Sequence, residues 1–415
     1  MFGPPRRQRG AGRAWPEPAL PPFALSVSPA SQIVTPGGNG TYTVAVTAQA
    51  GSGPITLGTT GLPASVTAVF TPATLSASGT SSLKVSAGAT AVPGNYPFTV
   101  TGASSTFGTT AQAALLIGGP LPLGWSDLDI GAPSVKGYAL YSSGVFSVGG
   151  NGADVQAYPD QFHFAFQPLS GDMVLTARVA SQTNTNGWAK AGVMIRQSTA
   201  SGSLDSYIVM SPGNGGDMQS RYTVNSTATD LGRTTKALGL KAPYWVRLVR
   251  LGNTFTGYTS ADGAGWNSMT TIPATVTIPM TDPVLAGLGV SSHVNGVNSL
   301  VAFDNVAIAS SVAGQMSVAR SGLPYSRVTL TYNGSITVTN VGTQTISGPF
   351  QIVLTNLYSG AALKNASGIT AMGTYITVPG VQSLAPGQSA AVAVQFTDPS
   401  NAAITYTPVT YAGRF

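Results

Sequence analysis

The sequence lacks cysteine and is almost without glutamate and histidine. None of its 415 residues is cysteine, only two are histidine, and the single glutamate is Glu17. Without thiols the chain can form neither disulfides nor Cys-ligated metal sites, and it cannot use a thiolate nucleophile. Most glycoside hydrolases place two carboxylates across the scissile bond, usually with a glutamate as the acid, so the absence of glutamate after Glu17 disfavours sugar hydrolysis.

Charged residues are also scarce, and no stretch of the chain is apolar for long. Lysine, arginine, aspartate and glutamate make up 8% of the sequence, whereas soluble domains average roughly 25%. Helical proteins normally place charged residues on exposed helix faces, so this composition favours short strands joined by turns. No apolar run approaches the ~18 residues of a membrane-spanning helix, and we expect no membrane span.

The positive charge of the chain is concentrated in its first residues. The formal net charge is +6, and Arg6, Arg7, Arg9 and Arg13 all lie within the first thirteen residues. The remaining charges are scattered singly, without the basic stripe of a nucleic-acid-binding surface, and we expect no nucleic-acid partner. This segment has the charge of a signal-peptide n-region but lacks the apolar segment that should follow. Three explanations stay open: an export route that the sequence does not reveal, a chain that continues a larger polypeptide, or a misassigned start. The last two are favoured.

Alternating polar and apolar residues predict short β-strands from Phe23 onward. In TYTVAVTA, Tyr42, Val44 and Val46 point to one side and the intervening residues to the other, which is the period of a strand. Similar runs follow and are separated by Pro-Gly turns. Residues 1–22 are therefore predicted to be a disordered leader, and residues 23–119 to be an immunoglobulin-like sandwich.

The middle of the chain contains most of its chemically active residues. Both histidines, four of the five tryptophans and eleven of the thirteen acidic residues lie between Trp125 and Ala309. Strand-like runs recur there without helical periodicity, which predicts a larger two-sheet jelly roll over residues 120–310. Residues 311–415 repeat the short alternating runs and turns of the first domain and are predicted to be a second immunoglobulin-like sandwich. The predicted fold class is all-β throughout.

The middle segment also contains a series of long motifs. They are, in chain order, LGWSDLDIGAP, GGNGADVQAYPDQFHFAFQPLSGD, GWAKAGVMIR, APYWVRLVRLGNTFTGYTSADGAGW, LGVSSH and FDNVAI. These motifs resemble concanavalin A-like domains of the DUF1349 type, which occur in bacterial extracellular proteins, often appended to carbohydrate-active enzymes. The resemblance implies a lectin-like jelly roll with a glycan ligand. It does not imply catalysis, because such domains are commonly accessory. The outer segments resemble bacterial immunoglobulin-like modules.

One stretch, PDQFHFAFQPLSGD, raises the question of an active site because it places His163 between Asp160 and Asp172. In a strand the three phenylalanines take one face and His163 takes the other. The two aspartates then lie near opposite ends of the strand, ~30 Å apart when it is extended, and cannot both flank the histidine. We therefore predict a hydrogen-bonded histidine on a polar strand face, and the same interpretation applies to His293.

Two short segments resemble ligand sites in part. DLDIG could supply Asp127 and Asp129 to a structural calcium site, which Asp154 would have to complete across space. SADGAGW resembles an Asp-box whose serine-to-tryptophan spacing is one residue short, and Asp262-Gly263 is better explained as a hairpin turn. The chain has no phosphate-binding loop and no nucleophile elbow, so we expect no cofactor other than that calcium.

A set of polar and aromatic residues on the strands of the middle domain remains. Sugars stack on aromatic rings while planar polar side chains bind their hydroxyls, which makes such residues candidates for a glycan site. Lys190 and Arg196 share the strand face opposite the apolar residues of WAKAGVMIR, so that face is not expected to be the core. The ligand-binding candidates are Gln161, His163, Trp188, Lys190, Arg196, Trp245, Arg247 and His293. The two tryptophans could equally be packing residues.

Three functions follow from these patterns. The favoured one is non-catalytic carbohydrate binding by the middle domain of an extracellular or cell-surface bacterial protein, with the outer domains as spacers. The second is a structural stalk or adhesion segment that binds no sugar. The third is a glycan-degrading enzyme that uses an aspartate pair, for which the raw candidates are Asp127, Asp129, Asp154, Asp205 and Asp217. Grouping of the ligand-binding candidates on one concave face would favour binding, and their scatter would favour the stalk.

Overall fold

The computed structural model describes residues 21–231, 238–269 and 275–415. Within these residues every regular element is a β-strand, so the predicted all-β fold class is confirmed. The chain divides into two compact units, Met1–Gly118 and Gly119–Phe415. No helix with the length and hydrophobicity needed to cross a bilayer occurs in the described part of the chain.

The first unit is a sandwich of two sheets. Its described residues form β1 (Phe23–Ser28), β2 (Ser31–Val34), β3 (Asn39–Ala48), β4 (Ile55–Thr60), β5 (Val66–Thr71), β6 (Thr74–Leu75), β7 (Gly79–Ala87), β8 (Gly94–Ala103) and β9 (Gly108–Ile117). The sheets have the strand orders β1-β3-β7-β5 and β2-β9-β8-β4-β6. Tyr42, Val44 and Val46 are buried between them, as the alternation along β3 predicts.

The second unit begins with the strands of the predicted jelly roll. They are β10 (Ser126–Ile130), β11 (Tyr138–Ser142), β12 (Val145–Gly152), β13 (Phe162–Leu169), β14 (Met173–Gln182), β15 (Lys190–Arg196), β16 (Asp205–Ser211), β17 (Gly215–Arg221), β18 (Thr229–Asp230), β19 (Tyr244–Leu251), β20 (Thr254–Ser260), β21 (Asn267–Ser268), β22 (Thr275–Thr277), β23 (Val284–Ser291) and β24 (Val294–Ser311). One sheet, the front sheet, has the order β10-β13-β23-β15-β16-β17-β18.

The unit continues with the shorter strands of the C-terminal segment. They are β25 (Met316–Arg320), β26 (Tyr325–Ser326), β27 (Thr331–Asn340), β28 (Ile346–Ser347), β29 (Phe350–Thr355), β30 (Ala362–Leu363), β31 (Gly368–Thr370), β32 (Gly373–Thr377), β33 (Ser383–Leu384), β34 (Ser389–Thr397) and β35 (Thr407–Gly413). Their own core contains Ile336, Val338, Phe350, Val394 and Phe396.

A second large sheet, the back sheet, joins the two parts of this unit. It has the order β21-β20-β19-β14-β24-β35-β29-β32-β31, and β12 also pairs with β24. The joint is the antiparallel pairing of Ala309, Ser310 and Ser311 with residues 411–413 of β35. The predicted jelly roll and the predicted C-terminal sandwich therefore share one hydrogen-bonded sheet, while their division at residue 310 stays a prediction.

The core of the predicted jelly roll lies between the front and back sheets. Ala191, Val193 and Ile195 of β15 point into it together with aliphatic residues of β14 and β19. The opposite face of the front sheet is buried as well, because Val155 packs over it in a cluster with Phe162 and Phe164. Each buried phenylalanine contributes about 1.5–3 kcal/mol relative to an exposed one, which explains why residues 153–161 lie against this face.

The pairing of β24 with β35 depends on a glycine. Gly413 has φ +102°, and a Cβ there would overlap the carbonyl oxygen of Ile308. We expect Gly413→Ala to lower the stability of the second unit by about 1–3 kcal/mol, since it adds both backbone strain and a backbone clash.

Urea unfolding followed by tryptophan fluorescence measures this change, because the four tryptophans within the described residues all lie in the second unit. Gly314→Ala is the matched control. Nothing lies within 4 Å of a Cβ at Gly314, so its effect should stay within about 0.5 kcal/mol. Equal midpoints for the two variants would contradict the proposed role of Gly413.

Candidate functional site

His163 lies between two carboxylates that the neighbouring strand supplies. β10 is the edge strand of the front sheet and pairs antiparallel with β13, so that Asp129 stands opposite His163 and Asp127 opposite Ala165. His163 Nδ1 is 2.8 Å from Asp129 Oδ1, and Nε2 is 3.0 Å from Asp127 Oδ2. Both nitrogens can donate to carboxylates at once only when the ring is an imidazolium.

The surroundings of His163 favour this charged form. Burial alone would lower the pKa of His163, but the hydrogen bonds and charges of Asp127 and Asp129 outweigh it, and the pKa is raised. The carboxylates are held in turn by backbone amides. Gly137 N–H donates to Asp129 Oδ1 at 3.0 Å, and Ala139 N–H donates to Asp127 Oδ2 at 3.1 Å. With neither ring nitrogen free, the histidine is not available as a general base.

This arrangement corrects two predictions. His163 is hydrogen-bonded, as predicted, but it is 2% exposed and so does not stand on an open polar strand face. Asp127 and Asp129 belong to a strand rather than to a calcium-binding turn, and Asp154 instead binds Lys190. Among residues 21–231, 238–269 and 275–415, no group of three or more His, Cys, Asp or Glu side chains could hold a metal ion.

Arg196 belongs to a buried network of four charges on the outer face of the front sheet. Its NH2 donates to Asp160 Oδ2 at 3.2 Å, and Arg221 donates to both Asp160 and Asp205. Arg196 also donates to the carbonyl oxygens of Ser198 and Ala200, which fixes the loop after β15. All four side chains of the network are almost fully buried. Arg196 is thus committed to internal contacts rather than presented to a ligand.

Lys190 is committed to a second internal ion pair, with Asp154. Burial raises the pKa of Asp154, but the charge and hydrogen bond of Lys190 outweigh this, so the pKa is lowered. His293 Nδ1 lies 3.5 Å from Asp154 Oδ1 without forming a hydrogen bond. Gln161 donates its backbone N–H to the carbonyl oxygen of Asp154. Three of the predicted ligand-binding residues therefore surround one aspartate, and Lys190 is 1% exposed.

The tryptophan and arginine candidates lie elsewhere. Trp188 is in the loop before β15, where its backbone N–H donates to Asn186 Oδ1 at 2.8 Å. Trp245 and Arg247 share the outer face of the back sheet. Trp245 packs against the turn at Gly263, which connects β20 to β21 as the predicted hairpin. The eight candidates are therefore scattered over several places and do not form one concave site.

One pair of aspartates lies close together, but the separation of its carboxyl groups fits neither retaining nor inverting glycosidases. Asp217 and Asp230 are hydrogen-bonded to one another, and burial together with the charge of Asp230 raises the pKa of Asp217 to about 7. Retaining enzymes hold their two carboxyl groups roughly 5 Å apart, and inverting enzymes hold them farther apart. Two carboxyl groups in direct contact are closer than either separation. Asp217 is also 1% exposed. Asp205 and Asp160 are held by arginines, as described above.

A groove that the sequence patterns did not indicate lies where the predicted jelly roll meets the C-terminal segment. Its volume is about 750 Å³, and it is lined by Trp125 and Tyr141 on one side and residues 345–348 on another. Phe146 holds the two rings in place, with its centroid 4.6 Å from that of Trp125 and 4.8 Å from that of Tyr141. The groove falls within the roughly 300–1,000 Å³ typical of ligand sites.

The polar side chains of this groove are all uncharged. They are Gln167, Asn305, Ser310, Gln315, Thr345 and Ser347, together with the Tyr141 hydroxyl. The amides and hydroxyls offer hydrogen bonds to sugar hydroxyls, and the partly exposed rings of Trp125 and Tyr141 offer a stacking surface for the C–H patches of a sugar ring. Trp125 stands in the LGWSDLDIGAP motif, but its place in a groove depends on residues more than two hundred positions later, so only the pairing of β24 with β35 reveals it.

No protein-family model and no curated protein matches the chain. Among solved structures, the chain is similar to a mutant of the GH43 protein BlXynB from Bacillus licheniformis, with a TM-score of 0.31 and 8% identity over 64% of this chain. It is also similar to a xylan beta-1,4-xylosidase from Bacillus halodurans C-125, with a TM-score of 0.30 and 10% identity over 51% of this chain. The chain spans 62% and 51% of the lengths of these two proteins.

A third similarity is to trypsin-activated alpha-2-macroglobulin from Escherichia coli. Its TM-score is 0.20 and its identity 10%, over 94% of this chain and 24% of that protein. TM-scores this low establish no shared fold. The assignment of a function therefore depends on the geometry of the chain itself.

The His163 cluster should make stability depend on pH. A raised folded pKa means that the stabilisation is complete below the unfolded value of about 6.5 and is lost as the pH rises through the folded value. His163→Gln should therefore cost about 2–3 kcal/mol at pH 6, less than a fully buried pair because the carboxylates are partly exposed. The difference from the wild type should shrink towards pH 9.

Urea unfolding of both proteins at several pH values checks this expectation. Taking the difference between wild type and variant removes the contribution of other groups that titrate in this range. His293→Gln is the control for replacing a histidine, because its Nδ1 forms no hydrogen bond. A His163→Gln difference that is constant from pH 6 to pH 9 would show that the ring is not charged in the folded protein.

The Arg196 network gives a second expectation. Arg196→Met leaves Asp160 and Asp205 with one arginine in a buried site, so it should cost about 3–5 kcal/mol. Arg178→Met is the control, because Arg178 pairs with Asp304 at a partly exposed position and such pairs contribute about 0–1 kcal/mol. Denaturant unfolding measures both values. A stable Arg196→Met protein that has lost glycan binding would instead identify Arg196 as a ligand residue.

Proposed function

We propose that this chain is a non-catalytic carbohydrate-binding protein and that the groove beside Trp125 holds the sugar. The observation that carries the proposal is the composition of the groove, in which two aromatic rings face a set of uncharged amides and hydroxyls. Gln167 lines the groove, and its side-chain amide has no partner among the described residues, so it is available to a ligand. An uncharged lining suits neutral sugar residues.

The same lining supports binding rather than cleavage. Glycoside hydrolysis requires an acid and a second carboxylate on opposite sides of the scissile bond. No charged residue lines the groove within the described part of the chain. A glycan-degrading enzyme is for this reason the least favoured of the three functions.

We also propose that the middle segment is a domain of the DUF1349 type in an extracellular or cell-surface bacterial protein. The motifs that run from LGWSDLDIGAP to FDNVAI support this family assignment, and the cysteine-free, turn-rich outer segments are compatible with bacterial immunoglobulin-like modules. In this proposal the first unit is a spacer. The C-terminal segment has a larger part, because residues 345–348 line the groove.

A structural stalk is the second function that a specific observation favours. The back sheet runs without interruption from the jelly roll into the C-terminal segment through β24 and β35. A hydrogen-bonded sheet resists bending better than a flexible linker, which suits a load-bearing segment. The scatter of the eight predicted ligand-binding residues also agrees with this alternative. Retention of a glycan by the groove would support the binding function, and absence of retention would favour the stalk.

The groove can be tested on the full chain with a glycan array followed by calorimetry on each retained sugar. Trp125→Ala should weaken binding by at least about tenfold, since a central tryptophan commonly dominates a binding site. Gln167→Ala should weaken binding by about fivefold through the loss of a hydrogen bond. Tyr158→Ala, which removes an exposed ring outside the groove, should leave the affinity unchanged.

Trp125 also packs on Phe146, so the folded state of each variant is checked by its unfolding midpoint. Gln167→Ala keeps that packing and therefore tests the groove even where Trp125→Ala loses stability. Absence of binding to any sampled glycan would favour the stalk. Binding that survives both substitutions would place the sugar outside the groove.

A further inference from the structure

A second, smaller pocket lies on the outer face of the back sheet. It has a volume of about 250 Å³ and is lined by Arg247, Tyr258, Ala264, Trp266, Ile369, Thr370 and Ala371. Two of these residues come from β19 and β20, and two come from β31 at the other end of the back sheet. The sheet is therefore curled so that its distant strands approach one another, and this curvature encloses the pocket.

Arg247 is the only charged residue that lines this pocket among the described residues. Its guanidinium carbon lies 3.8 Å from the centroid of the Trp266 ring, which is close cation–π stacking. Its Nε donates to Thr176 Oγ1 at 2.9 Å. One nitrogen and one face of the guanidinium are thus fixed by the protein. Its two terminal NH2 groups, the edge that binds a carboxylate with two parallel hydrogen bonds, form no hydrogen bond with the described residues.

The other described arginines between residues 119 and 311 all have a carboxylate partner, so its absence at Arg247 is unusual for this part of the chain. Arg178 pairs with Asp304, Arg250 pairs with Asp282, and Arg196 and Arg221 share the buried network described above. Arg247 forms no ion pair with any of the twelve aspartates, all of which lie in the described part of the chain. It therefore keeps a positive charge that no side chain of the described residues neutralises.

The environment of Arg247 increases its attraction for an anion. Burial removes part of the hydration of the Arg247 guanidinium and lowers its pKa to about 10, so that it still carries its charge at neutral pH. A partly desolvated cation recovers electrostatic energy when an anion enters, because the local dielectric constant is lower than that of water. An anionic ligand is accordingly favoured over a neutral one.

We propose that this pocket binds the carboxylate of an acidic sugar residue, a uronic acid. The volume of the pocket lies just below the roughly 300 Å³ at which drug-sized ligand sites begin, so it suits one sugar ring. The Tyr258 and Trp266 rings together with Ile369 provide an apolar wall for the C–H face of such a ring. A planar guanidinium matches a carboxylate with two parallel hydrogen bonds, which gives the acid group a defined orientation.

This site is independent of the groove beside Trp125. The two share no lining residue, and the groove offers no charge with which to select an acid. Failure of one proposal therefore leaves the other standing, and substitutions in the two places should have separate effects.

The experiment uses the full chain and calorimetric or NMR titration with galacturonic acid and trigalacturonate. Galactose and galactotriose serve as the neutral counterparts, and acetate and sulfate as the small anions. We expect the acidic sugars to bind at least about tenfold more tightly than the neutral ones, as a charge-assisted pair of hydrogen bonds allows. Arg247→Gln should abolish this preference, and Arg247→Lys should restore little of it because an ammonium lacks the planar fork.

The control is Arg178→Gln, which removes the same charge from the same face of the same sheet at a position already paired with Asp304. It should keep the full preference for acidic sugars. Arg247→Gln leaves no buried carboxylate without a partner, so its unfolding midpoint should stay near that of the wild type. Trp125→Ala should leave uronate binding intact, which separates this pocket from the neutral groove.

Three outcomes would overturn the proposal. They are equal affinities for uronates and neutral sugars, an unchanged preference in Arg247→Gln, and binding of acetate or sulfate as tight as that of the uronates. The last result would identify a general anion site without sugar selectivity. A uronate preference that only Arg247 substitutions remove would establish the site.

Discussion

The pairing of β24 with β35 is the interaction on which both proposed binding places depend. β24 is eighteen residues long and pairs with β12 and β14 before its last residues meet β35. Through this joint the back sheet continues into the C-terminal segment and curls back towards β19 and β20. The groove beside Trp125 lies along the joint, and the Arg247 pocket lies where the curl closes. Each place is therefore a product of sheet continuity rather than of a single domain.

Charged residues are scarce in this chain, and most of the aspartates of residues 119–311 are paired with internal cationic partners. Asp127 and Asp129 hold His163, Asp154 holds Lys190, and Asp160 with Asp205 holds two arginines. A buried ion costs several kcal/mol unless it is paired and hydrogen-bonded, so these carboxylates are occupied by internal partners. They fasten the edge strand and the loops over the front sheet. Against this pattern, Arg247 differs from the other described arginines of residues 119–311, because it lines a pocket without a carboxylate partner, and this is the feature on which the proposal of an acidic ligand depends.

The strands and their alternation could be predicted from the sequence because they depend on local periodicity. The phenylalanine row of β13 and the hairpin at Asp262 and Gly263 are of this kind. The partners of His163 could not be predicted from the sequence, because they depend on the register between β10 and β13. Alternation placed Lys190 and Arg196 correctly on the face opposite the core, but it could not show that residues 153–161 bury that face as well. The groove was beyond prediction because its walls come from segments far apart in the chain.

The structure gives the C-terminal segment a different role from that of the predicted spacer. A spacer would contribute length and no binding surface, whereas residues 345–348 and 369–371 line the two proposed sites. A fragment limited to residues 120–310 would therefore lack one wall of each site and would expose the edge of the back sheet that β35 covers. Absence of binding by such a fragment would carry no information about the sugar. A glycan should therefore be offered to the whole of Gly119–Phe415, because only there does the back sheet complete the walls of both proposed sites.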